Sequence, residues 1–133
     1  MNERPHRNLI AWKKSLELAR EIYKVTATFP KNEEYGLTLQ MRRAVVSIPS
    51  NLAEGAARKG SKEFKQFLNI AQGSISELDT QIELCKMLNY IENAVYESTM
   101  TKNDRNFQNA LRLGKNNKIT VITIHHSLLT FYS

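Results

Sequence analysis

The sequence predicts an all-α protein, an antiparallel up-and-down four-helix bundle with a divergent, poorly specified C-terminal tail. Apolar residues recur at intervals of three and four along several long segments, as on one face of a helix. Short stretches rich in turn-forming residues separate these segments, and short connections favour antiparallel neighbours. The 133 residues suit a single core. We expect the bundle over residues 1–113 and the tail over residues 114–133.

The first predicted helix runs from about Asn8 to Thr28. We expect its core face to contain the apolar positions Leu9, Trp12, Leu16, Ala19, Tyr23 and Thr26. Phe29 and Pro30 end the helix, because the ring of proline restricts the residue before it. Asn32 is then expected to act as the N-cap of the second helix.

The second predicted helix, from about Tyr35 to Arg58, is apolar on two sides. One face would enter the core and carries Leu37, Met41, Ala44, Val45, Ile48 and Leu52. A second row needs another partner, either a neighbouring helix or another subunit, and we predict a subunit; the row contains Leu39, Val46, Ala53 and Ala57. Pro49 and Gly55 are unusual here, since proline costs about 3 kcal/mol and glycine about 1 kcal/mol inside a helix.

The third predicted helix has the most regular pattern in the chain. Gly60 ends the second helix, Ser61 is the expected N-cap, and the helix continues to about Asn89. Its core face contains Phe64, Phe67, Leu68, Ala71, Ile75, Leu78, Ile82 and Cys85. Cys85 is the single cysteine, so an intrachain disulfide is excluded, and we expect it to behave as a small buried hydrophobe.

The remainder of the chain is weakly patterned. Residues 92–113 could form the fourth helix, with Tyr96, Met100 and Phe107 on one side, but Asn103 and Asp104 are expected to interrupt it. Residues 119–124 are β-branched and have strand character without an obvious strand partner.

Charge and hydropathy limit the possible partners. The net charge is +6, and summing the printed sequence gives +5 for residues 1–60, −3 for 61–98 and +4 for 99–133. A basic excess favours nucleic acid or another polyanion. No run approaches the ~18 apolar residues of a membrane span, and the N-terminus lacks the apolar region of a secretory signal. We therefore expect a cytoplasmic protein with no membrane partner.

Cationic side chains fall into two sets of candidate nucleic-acid contacts. The first flanks the unusual part of the second helix and comprises Arg42, Arg43, Arg58, Lys59, Lys62 and Lys65. The second lies on the first helix and comprises Lys13, Arg20 and Lys24. Arginine suits phosphate because its fork is planar and bidentate. Each set could also be a solvated surface, with Glu17 pairing to Lys13 or Arg20, and an intrahelical ion pair of Glu54 with Arg58 is the simplest interpretation of that spacing.

No pattern in the sequence indicates catalysis. A carboxylate such as Glu54 would need a second acid or a metal at fixed spacing, and none is present. The pair His125 and His126 lacks further ligands at metal-binding spacing. There is no phosphate-binding glycine loop, nucleophile elbow or CxxC pair. We predict a non-enzyme with no metal, no cofactor and no small-molecule substrate.

Two stretches carry a family resemblance. They are FPKNEEYGLTLQMRRAVVSIPSNLAEG, residues 29–55, and GSKEFKQFLNIAQGSISELDTQIELC, residues 60–85. Together with the Trp12-Lys13 region they resemble the four-helix-bundle proteins encoded in 23S rRNA intervening sequences, over roughly residues 8–92. The motif SIPSNLAEG is the most specific part. After about Glu97 the sequence departs from the family pattern, through divergence or a frameshift.

The resemblance implies an up-and-down four-helix bundle that assembles as a ring-like homopentamer. The accessory proteins of diversity-generating retroelements look similar, and they bind nucleic acid through the basic surface of such a pentamer. We therefore expect a nucleic-acid-binding homo-oligomer, with RNA favoured over DNA, in which a ring repeats each basic patch. The alternative is an oligomeric scaffold that docks an acidic or nucleic-acid-associated protein.

Overall fold

Four helices account for most of the chain in the computed structural model, which describes residues 4–115. A 3-10 turn, Pro5–Asn8, precedes the first helix, and a second turn, Lys31–Glu33, follows it. The helices are α1 (Ile10–Thr26), α2 (Leu37–Ala57), α3 (Ser61–Met87) and α4 (Asn93–Lys115). The predicted strand at residues 119–124, His125 and His126 all lie outside the described residues. So does nearly all of the predicted tail, and the domain boundary therefore stays a prediction.

Contacts between successive helices run in opposite directions along the chain. At one end of the α2–α3 pair, the sulfur atoms of Met41 and Cys85 lie 3.4 Å apart. At the other end, Gly55 faces Phe64. Helices α2 and α3 are therefore antiparallel. The pairs of Glu83 with Tyr96 and of Ile75 with Asn103 show the same order for α3 and α4. The fold is the predicted all-α, up-and-down four-helix bundle.

The predicted core faces of α2 and α3 are confirmed. All six core positions predicted for α2 are buried, and of the eight predicted for α3 only Phe67 is left partly exposed. Cys85 is fully buried, as expected. These two helices therefore supply most of the side chains that hold the bundle together.

The predicted core face of α1 is partly wrong. Leu16 and Tyr23 each keep 43% of their surface exposed, and the buried positions of the helix are Ala11, Ser15, Leu18, Ile22 and Thr26. The helix is therefore rotated by about one residue from the expected phase. Ser15 can enter the core because its hydroxyl donates to the carbonyl of Trp12 at 2.7 Å, so its polar group is not left unpaired.

The predicted interruption of α4 is also wrong. The helix continues through Asn103, which is fully buried and donates from its amide to the carbonyl of Ile75 in α3 at 2.9 Å. Thr99 is buried too, and its hydroxyl donates to the carbonyl of Val95 at 2.8 Å. Asn106 lies in the interior without a partner for its amide among the described residues. The face of α4 that meets the bundle is thus largely polar.

The helix ends differ from the predicted caps. Asn32 lies in the 3-10 turn, and Gly36 is the residue that precedes α2. Glu33 takes the capping role, because one carboxylate oxygen accepts the amide of Leu37 at 3.4 Å and the other accepts the hydroxyl of Tyr90 at 3.0 Å. At α3 the N-cap is Gly60 instead of Ser61, with no side-chain hydrogen bond to the helix. None of the helices within residues 4–115 is long and apolar enough to cross a membrane.

Helix α2 continues through both of its unusual residues. Pro49 is buried in its middle, and the neighbouring polar side chains bond the backbone, Ser50 to the carbonyl of Val46 and Asn51 to that of Ser47. Gly55 has a packing role, since a Cβ there would lie 3.0 Å from the ring of Phe64 and 3.1 Å from Cβ of Phe67. Its lack of a side chain lets the end of α2 approach α3.

We predict that Gly55→Ala destabilises the protein although alanine is the better helix former. The new methyl group must displace two aromatic side chains, which costs on the order of 1–3 kcal/mol. Gly73→Ala is the matched control, because Gly73 is exposed in α3 and a methyl group added there would meet nothing within 4 Å. That control should stabilise by about 0.5–1 kcal/mol. Urea unfolding measures both free energies, and equal effects of the two changes would contradict the packing role.

Candidate nucleic-acid interface

The cations predicted around α2 and α3 form two separate groups. Arg42 and Arg43 lie in the second turn of α2, whereas Arg58 directly follows its last residue. The fifteen residues from Arg43 to Arg58 correspond to about 22 Å along the helix axis. One nucleic-acid backbone could span both groups, but a single phosphate could not. The two groups therefore need to be considered as separate surfaces.

Arg42 joins α1 to α2. Its Nε donates to the hydroxyl of Thr26 at 2.9 Å, and a terminal nitrogen reaches the carbonyl of Tyr23 at 3.3 Å. The guanidinium also lies 4.5 Å from the centre of the Tyr23 ring. These contacts use two of its five N–H donors and hold the guanidinium between the two helices. Arg43 is exposed and makes no ion pair within residues 4–115, so it is the cation of this group that is open to a ligand.

The group with more exposed cations surrounds the turn between α2 and α3. Lys59, Lys62 and Lys65 are exposed, and none has an acidic partner within the described chain. The first amides of α3 also point here, since Gly60 provides no side-chain cap. Helix N-termini carry a partial positive charge. This corner of the bundle therefore combines free ammonium groups with a favourable helix terminus.

Arg58 has a different environment from these lysines. A terminal nitrogen lies 3.1 Å from a carboxylate oxygen of Glu54, which confirms the predicted intrahelical pair. The guanidinium carbon lies 5.0 Å from the centre of the Phe67 ring on α3. Arg58 is thus oriented by two neighbours while its side chain remains 44% exposed.

Both ends of the described chain add cations to the same end of the bundle. Leu9 and Ala56 pack together with Trp12 and Leu113, which brings the start of α1, the end of α2 and the end of α4 into contact. We call this region the basic end; besides the α2–α3 turn it carries Arg4, Arg7, Arg112 and Lys115. The sequence interpretation omitted these four residues. The signal was available, because an up-and-down bundle of four helices places both termini at one end.

The 3-10 turn at the basic end is held by an aromatic contact. The ring centres of His6 and Trp12 lie 4.9 Å apart in an edge-to-face arrangement, and Arg7 lies 5.8 Å from the Trp12 ring. Burial, together with the nearby charges of Arg7 and Arg4, lowers the pKa of His6 below its usual value. Trp12 is partly buried and packs against the core, as its position in the sequence indicated.

The cations of α1 have a mixed electrostatic environment. Lys13, Arg20 and Lys24 are exposed and have no ion pair within the described residues, and Glu17 pairs with Lys14 instead of the expected partners. Two of them line a groove of about 340 Å³ with Glu17, Glu21, and Lys102 of α4. Because Glu21 pairs with Lys102, acids and bases alternate along this groove. Its attraction for a polyanion is weaker than that of the basic end.

The second apolar row of α2 lies on the outer surface of the bundle. Val46 is 42% exposed, Ala57 is exposed, and Leu39 and Ala53 are partly exposed. Ala53 and Ala57 also line a groove of about 410 Å³ beneath the 3-10 turn, with Arg4, Pro5 and His6 on its other side. The predicted interface residues therefore share one accessible strip, which continues towards the basic end.

The described residues contain few groups suited to chemistry. They include no cluster of three or more histidine, cysteine or acidic side chains that could hold a metal ion. Burial raises the pKa of the Cys85 thiol to about 12. The Tyr96 hydroxyl donates to Glu83, and this hydrogen bond raises the pKa of Tyr96 to about 12. Both groups therefore stay protonated near neutral pH.

The fold and these surfaces define a class of protein: a small all-α bundle with one basic end and an exposed apolar strip. The family model of the 23S rRNA-intervening sequence protein matches residues 7–109, and the chain belongs to this family. A crystal structure of a protein of unknown function from the S23 ribosomal protein family of Bacteroides thetaiotaomicron is similar. It shares 26% identity with a TM-score of 0.72, covering 80% of this chain and 100% of that chain. No curated protein matches.

We predict that Arg42 and Arg43 differ in their contribution to stability. Arg42→Met removes charged hydrogen bonds between α1 and α2 and should lower the free energy of unfolding by about 1 kcal/mol, discounted for partial exposure. Arg43→Met is the matched control, and an exposed substitution of this kind should stay within about 0.5 kcal/mol. Thermal and urea unfolding of both variants provide the comparison. Equal losses, or a loss confined to Arg43→Met, would contradict this assignment.

Proposed function

We propose that this protein is a cytoplasmic, non-enzymatic, nucleic-acid-binding homo-oligomer whose basic end contacts the phosphate backbone of structured RNA. The observation that carries the proposal is the group of three exposed lysines, Lys59, Lys62 and Lys65, without acidic partners at the uncapped start of α3. Lysine binds phosphate as a point charge, and helix N-termini favour anions. Such contacts bind without reading base sequence.

The charge distribution supports an approach of RNA to the basic end of the bundle. The basic end carries eight cations against the carboxylates of Glu54 and Glu63, whereas the opposite end carries Glu33, Glu34 and Glu92 against Lys31 and Lys86. A polyanion would therefore approach from one end of the bundle. The family's name links its members to 23S rRNA intervening sequences, which makes RNA the first ligand to test.

Self-association would strengthen weak contacts of this kind. The strip of Leu39, Val46, Ala53 and Ala57 supplies an apolar surface for a neighbouring copy. A closed ring, the pentamer that the family resemblance implies, would repeat the basic end once per subunit. Several weak phosphate contacts would then act together as one multivalent surface.

Binding to RNA should fall steeply with salt, because each neutralised phosphate releases bound counterions. We predict that the combined change Lys59→Gln, Lys62→Gln and Lys65→Gln weakens binding at low salt. Each phosphate contact on a single strand contributes ~0.7 to the slope of log affinity against log salt concentration. Losing three contacts should therefore reduce the magnitude of that slope by about 2. The matched control removes three charges away from the basic end, as Arg20→Gln and Lys24→Gln on α1 and Lys31→Gln in the 3-10 turn that follows α1. Filter binding across a salt series measures the slopes.

The outcomes separate the proposal from its rival. A larger effect of the control set would place the interface on α1 and the 3-10 turn that follows it. Absence of binding to RNA and DNA at low salt would refute the proposed function and favour a scaffold that docks an acidic protein. Turnover of a nucleic acid by the purified protein would contradict the non-enzymatic assignment.

We predict that Val46→Lys reduces the oligomer to smaller species, because a charge cannot be buried unpaired in an apolar contact between subunits. Ile10→Lys is the matched control, since Ile10 is 58% exposed but projects from another helix, α1. Light scattering coupled to size-exclusion chromatography measures both masses. A wild-type monomer, or equal dissociation by both variants, would contradict the assigned interface.

A further inference from the structure

Arg58 is the one cation of the α2–α3 turn whose charged group is held in a fixed plane. Glu54 binds a terminal nitrogen at 3.1 Å, and the Phe67 ring lies beneath the guanidinium with 5.0 Å between the carbon and the ring centre. The neighbouring lysines have no such partners in the described chain. A freely rotating ammonium group binds any phosphate, whereas a fixed plane can be selective.

The local backbone explains why Arg58 reaches Phe67. Gly55 allows the last turn of α2 to lie against α3, so closely that a Cβ added to the glycine would lie 3.1 Å from Cβ of Phe67. Arg58 then leaves the helix in an extended conformation, with φ −77° and ψ 150°, while its amide still donates to the carbonyl of Gly55 at 3.1 Å. The side chain is thereby turned across the α2–α3 contact and onto the ring.

We propose that the Arg58–Phe67 pair is a stacking platform for an unpaired base, and that the preferred ligand is RNA with unpaired nucleotides. The guanidinium carbon lies over the Phe67 ring at 5.0 Å from its centre, and 44% of the Arg58 side chain remains exposed to receive a second planar group. Bases in RNA loops, bulges and ends stack on aromatic rings and on arginine planes. Paired bases inside a duplex already stack on one another and cannot use the platform.

The lysines complete the site. Lys59 follows Arg58 directly, and Lys62 and Lys65 lie on the first two turns of α3, close in the chain to Phe67 at the start of that helix. They would bind the phosphates on either side of the stacked nucleotide. The inference rests on the proposed function, since it concerns what the same basic end binds beyond phosphate.

Fluorescence anisotropy at one fixed low salt concentration tests the inference with three labelled probes. These are an oligouridylate RNA strand, whose bases are essentially unstacked, an abasic strand with the same number of phosphates, and the oligouridylate strand paired with oligoadenylate. The wild-type protein should bind the base-bearing strand on the order of tenfold more tightly than the abasic strand, which is the scale of one base–aromatic stack.

Arg58→Lys is the decisive variant, because it keeps the charge and removes the plane. It should reduce the preference for the base-bearing strand to about twofold or less, because affinity for that strand falls more than affinity for the abasic strand or the duplex. Lys59→Arg is the control and should keep the wild-type preference. Phe67→Leu removes the ring beneath Arg58, and circular dichroism with thermal unfolding establishes that each variant is folded before binding is compared.

Equal wild-type affinity for base-bearing and abasic strands would overturn the stacking platform and leave the phosphate-binding function standing. A preference that survives in both Arg58→Lys and Phe67→Leu would overturn it as well. Absence of binding to every probe would instead refute the proposed function itself.

Discussion

The close approach of α2 and α3 at Gly55 is the constraint on which the rest of this structure depends. A glycine at this position lets Phe64 enter the core and brings Phe67 under the end of α2. The same approach fixes where the chain leaves α2, and so where Arg58 and the lysines of the following turn project. A single packing contact thus joins the interior of the bundle to its most basic surface.

The sequence predicted α2 and α3 well because both helices carry a wide and regular apolar face. In α1 two neighbouring stripes could each face the core, and the stripe that contains Ser15 is the less apolar one. Because serine is normally exposed, the sequence favoured the other stripe. The hydroxyl of Ser15 is satisfied by a carbonyl of the same helix, which no hydropathy pattern reveals. In α4 the polarity of Asn103 hid a core position, since its partner is a backbone carbonyl on α3, 28 residues away in sequence.

The candidate site was predicted in composition but not in arrangement. Sequence spacing identified the cations, yet it placed Arg42 with the surface residues, because the contacts with Thr26 and Tyr23 arise only when α1 and α2 pack. It also listed the cations on either side of Pro49 and Gly55 as one set of contacts, and the length of α2 separates that set into two groups. Conversely, the 3-10 turn and the end of α4 join the basic end through tertiary contacts alone. Charges close in sequence were easy to find, and charges close only in space were missed.

The position of residues 4 and 115 also has a practical consequence for handling this protein. Arg4 and Lys115 both belong to the basic end, beside the turn between α2 and α3. A label or surface attached at either of these two residues would therefore crowd the region we assign to RNA. The turns at the far end, where Glu33 bridges Leu37 and Tyr90, offer the clearer attachment point. An exposed side chain there, such as that of Tyr35, could carry a probe that reports on binding without obstructing it.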